Sequence, residues 1–135
     1  MKQMKMMYCF GSFLSMLVGI WHFTVPWMFQ WAEYIPYENL LVSIYYVNFC
    51  FSFLLTGISL IMLLWRRKVF DGNGEAMLLY GFFVLLWICR IGITFVWPCP
   101  PDANKWMNYG QLMGSVAIAF LLTVPLIGLT KARTK

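Results

Sequence analysis

Four apolar runs, each close to the roughly 20 residues a helix needs to cross a bilayer, constrain this chain more than any other feature. They cover about 6–25, 40–65, 76–97 and 106–129 and leave only short connections between them. A backbone in hydrocarbon must satisfy its own hydrogen bonds, and a helix does so within one segment. The expected fold is therefore all-α: an integral membrane four-helix up-down bundle forming one domain over residues 1–135. At 61% hydrophobic and 11% charged, the chain has too little polar sequence for an additional soluble domain.

The net charge of +5 is distributed as topology signals rather than as a nucleic-acid footprint. Lys2 and Lys5 precede the first run, Arg66, Arg67 and Lys68 follow the second, and Lys131, Arg133 and Lys135 follow the fourth. After an even number of crossings all of these lie on one side. The other side carries only Lys105, with Glu33, Glu38 and Asp102. The positive-inside rule then places both termini in the cytoplasm. The first run lacks a small-x-small cleavage pattern and continues into Trp21 and His22, so it reads as an uncleaved span.

The first span carries Gly11, Ser15, Gly19 and His22 at steps of four, four and three, a small-residue face suited to close helix packing. Pro26 ends or kinks that helix, and the aromatic and acidic segment after it reads as an interfacial helix or loop. Trp21, Trp27, Trp31 and Tyr34 there read as an aromatic belt. Were the helix to pass through Pro26, His22 and Glu33 would share a face. In the second span Asn48, Ser52, Thr56 and Ser59 form one polar face, where hydroxyls can bond back to their own helix but the Asn48 amide needs a partner. Asp71-Gly72-Asn73-Gly74 makes a tight inner turn.

Arg90, in the third span, is the one charge expected within the bilayer, placed to snorkel or to pair with Glu33 or Glu38. In the fourth span Asn108, Gln111 and Ser115 line one face, and Gly110 and Gly114 form a GxxxG expected to pack inside the bundle. Cys9, Cys50 and Cys89 read as buried structural thiols, and Cys99 falls on the outer loop with its redox state open.

The polar residues converge on the outer half, so His22, Arg90, Asn48, Glu33, Asn108 and Gln111 are the candidate lining of an outward-opening pocket with an apolar floor. The same cluster could simply hold four helices together. No catalytic residue and no metal set is assigned: one histidine supplies neither paired haem ligands nor a metal cage, although His22 with Glu33 or Arg90 could move a proton.

Gly19-Ile20-Trp21-His22-Phe23 with Pro26 and Phe29, then Ile35-Pro36-Tyr37, then a span containing Leu54, Leu55, Gly57 and Leu60 and ending at Arg66-Arg67, resembles the start of DoxX-like membrane proteins. Phe95-Val96-Trp97-Pro98 with Ala103-Asn104 resembles that family's Phe-Pro-Ala-Asn ending of the third span. The resemblance implies a four-helix membrane bundle, some of whose members look like subunits of quinone-linked or thiol-linked oxidoreductase assemblies, and it implies His22 as the matching polar residue. Where the family often has a glutamate in the outer third of the second span, this chain has Asn48.

The reading that follows is a small DoxX-like accessory subunit, or a binder of a quinone-like lipophile, with no cofactor assigned. Its partners would be the bilayer, a lipophilic ligand, and a membrane oxidoreductase or further copies of the chain. The alternatives are an intramembrane proton-transfer enzyme, a small transporter, and a purely structural membrane subunit; binding or accessory work is favoured over catalysis.

Overall fold

A computed structural model describes residues 1–96 and 105–133, with the side chains of all of these except 105–108 and 133. Among the described residues the secondary structure is helical: α1 (Lys2–His22), α2 (Val25–Met28), α3 (Trp31–Tyr34), α4 (Glu38–Leu64), α5 (Arg66–Phe70), α6 (Gly74–Val96) and α7 (Lys105–Arg133). Helices α1, α4, α6 and the Tyr109–Ala132 part of α7 are long and apolar enough to cross a membrane. No more than 33% of the most apolar window of any of them is buried inside the protein, so most of that surface needs lipid as its solvent.

Helix α1 is the centre of the packing, lying against α4 on one side and α7 on the other, with α6 joined to α7. The small-residue face explains why. A Cβ added at Gly19 would lie 2.5 Å from Thr56 Oγ1 and 2.8 Å from the Thr56 amide nitrogen, so α4 approaches α1 backbone to backbone. A Cβ on Gly11 would lie 3.0 to 3.1 Å from Leu121 and Leu122 of α7. Contacts between α1 and α4 run in opposite order along the two helices: Tyr8 with Met62, Ser15 with Ser59, His22 with Asn48.

The core is aromatic and tied by polar atoms. Tyr8, Tyr80, Phe83 and Trp87 are fully or almost fully buried. Tyr8 packs edge-on against Tyr80 at 4.9 Å and Phe70 at 5.5 Å between ring centroids. Its hydroxyl donates to Met62 O at 2.6 Å, and that of Tyr80 donates to Leu122 O. Deeper between the helices, Trp87 Nε1 donates to Ser15 Oγ at 3.0 Å, and the Ser15 and Ser59 hydroxyls are 2.8 Å apart. Ser59 also donates to Leu55 O at 2.7 Å; with one proton per hydroxyl, Ser15 supplies the proton between the two serines. One tryptophan and two serines thereby link α1, α4 and α6.

The connections follow their local chemistry. The turn between α5 and α6 holds Gly72 at φ 80°, and Asn73 Oδ1 accepts the Ala76 amide at 3.0 Å, capping the start of α6. The basic stretch before it forms the extra turn α5, with Lys68 over Trp65 at 4.5 Å and Lys5 over Phe70 at 5.4 Å. At the other end α1 stops at His22, and the expected interfacial segment is two single turns, α2 and α3, separated by Gln30 at φ 50°.

Two sequence expectations need correction. Cys50 and Cys89 are exposed on their helices rather than buried, and Cys9 is intermediate, packed at the edge of the core. Among the described residues nothing lies within 4 Å of a Cβ added at Gly110 or Gly114, so neither glycine is pressed against a described helix of the bundle. The hydroxyls of the α4 polar face bond back to their own helix as expected, Ser52 to Asn48 O at 2.6 Å and Ser59 to Leu55 O at 2.7 Å, while Thr56 and Ser59 also meet α1. Cys99 lies outside the described residues.

Candidate functional site

Pro26 organises the end of α1. A proline has no amide proton for the carbonyl four residues back, and its ring crowds that oxygen, so the His22 carbonyl is left over. Asn48 Nδ2 donates to it at 2.9 Å, replacing the missing proton from the neighbouring helix. The asparagine amide is thus engaged in joining α4 to the end of α1. The His22 ring lies against Trp21 at 5.2 Å and edge-on to Phe51 at 5.0 Å, and its buried Nε2 has no hydrogen-bond partner among the described residues. Asn48 also borders a groove of about 670 Å³ whose walls are aromatic, with Phe23, Trp27, Tyr45 and Phe49.

Arg90 belongs to a second constellation. On α6 it continues the inward stripe of Tyr80, Phe83 and Trp87 at steps of three, four and three, which turns it toward the helices rather than the lipid. It is half-buried; its Nε donates to Ser115 Oγ at 3.1 Å, and its guanidinium carbon is 6.0 Å from the Trp87 ring centroid. Ser115 in turn donates to Gln111 O at 2.8 Å. The two terminal guanidinium nitrogens make no hydrogen bond with a described residue.

Two cavities meet at this arginine. One, of about 300 Å³, lies among Val18, Trp21, Trp87, Gln111 and the Gly110 and Gly114 notch of α7. The other, of about 470 Å³, lies between α4 and α6, with Phe51 on one wall and Phe82, Leu86, Cys89 and Ile93 on the other. Arg90 and Gln111 border both. The unused GxxxG is thereby accounted for: its missing side chains open space beside Arg90.

The six sequence-predicted residues therefore divide. Arg90 and Gln111 come together at the cavities, and His22 and Asn48 come together at the end of α1. Glu33 stands exposed on α3, and among the described residues no ion pair joins Glu33 or Glu38 to Arg90, nor does a hydrogen bond join Glu33 to His22. Asn108 lies in α7, but its side chain is outside the described ones. Trp87 and Ser115 complete the Arg90 environment, and Trp87 was not a sequence candidate; the signal for it was the helical stripe that ends at Arg90. Among the described residues no group of three or more His, Cys, Asp or Glu side chains is placed to hold a metal ion.

Four membrane-length helices around an aromatic core define a multi-pass membrane protein. Comparisons of the chain with family models, with curated proteins and with solved structures give no match.

Proposed function

We propose that this protein binds a lipophilic small molecule within the membrane, at the cavities around Arg90, as a DoxX-like accessory component of the cell's inner membrane. The observation that carries the reading is a half-buried guanidinium, its terminal nitrogens unbonded to any described residue, where two apolar-walled cavities meet. Such a group offers one directional polar anchor in hydrocarbon surroundings, the usual composition of a lipophile site. Native mass spectrometry of the protein, purified gently from its own membrane, tests it. The expected spectrum has one small lipophilic molecule per chain, lost from Arg90→Gln. Identical bare chains for wild type and variant would overturn the reading.

The same proposal includes an up-down arrangement with both termini cytoplasmic. Its support is that the basic clusters share one end: Arg66 lies 3.7 Å from Cys9 Sγ, Lys5 sits over Phe70, and a Cβ on Gly128 would touch Met4. A second reading, a structural subunit, is favoured by the Asn48, Ser15, Ser59 and Trp87 bonds, whose polar atoms join helices. A bare chain that co-purifies in fixed ratio with a second membrane protein is its signature in the same spectrum.

A further inference from the structure

We propose that the Arg90 site is built for an anionic amphiphile, a single hydrocarbon chain with a carboxylate or phosphate headgroup, admitted from the bilayer between α4 and α6. The inference rests on the binding reading above and narrows it, because a neutral quinone is a poor match for what surrounds Arg90.

The first observation is the charge. Arginine keeps its proton even in hydrocarbon, and a cation there needs a partner. Among the described residues none is at hand. Glu33 and Glu38 are exposed on α3 and at the first turn of α4, and Asp71 and Glu75 belong to the turn and helix start at the opposite end of α6. With the described residues alone, a neutral ligand leaves the guanidinium uncompensated, whereas an anionic headgroup neutralises it.

The second observation is direction. Ser115 engages Nε, so a side-on approach to the guanidinium is blocked, and the pair of terminal nitrogens is left as the available fork. Two oxygens on one atom, as in a carboxylate or a phosphate, match that fork end-on; a single carbonyl oxygen uses half of it.

The third is access. Helices α4 and α6 both pack on the α1–α7 pair and hardly touch each other. The space between them is the 470 Å³ cavity, within the roughly 300–1,000 Å³ of small-molecule sites. Its rim residues Phe82, Leu85 and Ile93 are exposed, facing where acyl chains would lie, while Arg90 and Gln111 are at its inner wall. A chain lying in the cleft would bring its headgroup to Arg90 without crossing any polar barrier.

The test uses the full-length chain in nanodiscs of zwitterionic lipid, titrated separately with oleate, lysophosphatidate, oleyl alcohol and a short-chain quinone, with bound molecules counted by native mass spectrometry. Either acid, or both, should bind at least about tenfold more tightly than oleyl alcohol, the equivalent of one charged hydrogen-bonded contact. The acid that binds identifies the headgroup as carboxylate or phosphate. Arg90→Gln should remove that preference. Cys89→Trp, an exposed position on the cleft wall, should block binding with Arg90 intact, and it stands in should Arg90→Gln fail to fold. Binding of neither acid more tightly than oleyl alcohol, or tight binding of the quinone alone, would overturn the anionic assignment and leave the lipophile reading standing. No binding of any of the four would remove both.

Discussion

Gly19 and Gly114 show what a residue can and cannot announce. Each sits in a small-residue pattern at helical spacing, yet Gly19 is pressed against the Thr56 backbone and Gly114 faces open space. Gly19→Val should therefore destabilise the protein by about 1–3 kcal/mol through overpacking, while Gly114→Val should stay within about 0.5 kcal/mol; thermal unfolding in mild detergent compares them directly. The patterns are alike because spacing records only that a face is small, and the partner that makes it tight lies in another helix. Asn48 was legible as an amide in need of a partner; that its partner is a carbonyl stranded by Pro26 was not. Ser15→Ala strips the acceptor from the buried Trp87 indole and should cost about 1 kcal/mol on the same melting curves. An unchanged melting point would mean that the Trp87–Ser15–Ser59 link does not hold the core.

At the level of elements, the four spans were legible because hydrophobic length is a direct demand of the bilayer. Their ends were not. Helix α1 starts at Lys2, ahead of the apolar run, since hydrogen bonding continues through residues whose charged heads reach the interface. It stops at His22, short of Pro26, because the ring crowds the preceding turn. The turn α5 went unforeseen, as a basic stretch carries no hydrophobic period, yet Val69 within it is fully buried. Helix α6 depends on its cap: Asn73→Ala should cost about 1 kcal/mol, and amide exchange should rise at Glu75 and Ala76 first. Helix α7 contains Pro125, whose missing amide strands the Leu121 carbonyl; Tyr80 donates to the adjacent Leu122 carbonyl, binding α6 to the disturbed turn.

Over the whole molecule, composition and charge spoke for membrane and span number and set an expectation of orientation, whereas the order of packing came only with the structure. Charge asymmetry is a property of the sequence; that α1 lies between α4 and α7, leaving a cleft between α4 and α6, depends on which small faces meet. Hence Arg90 was legible as a suspect, but its pairing with Glu33 or Glu38 was not upheld among the described residues, and two cavities stand beside it instead. Orientation has its own check: reporter fusions at both ends should be active as cytoplasmic fusions, and activity of either as an external fusion would reverse the assignment. Binding at Arg90 is tested most directly by a density map of the protein in nanodiscs formed from its own membrane. Non-protein density of hydrocarbon shape is expected at the junction of the two cavities, in contact with the Arg90 guanidinium. Cavities closed by protein side chains, or filled by the helix of another subunit, would contradict it.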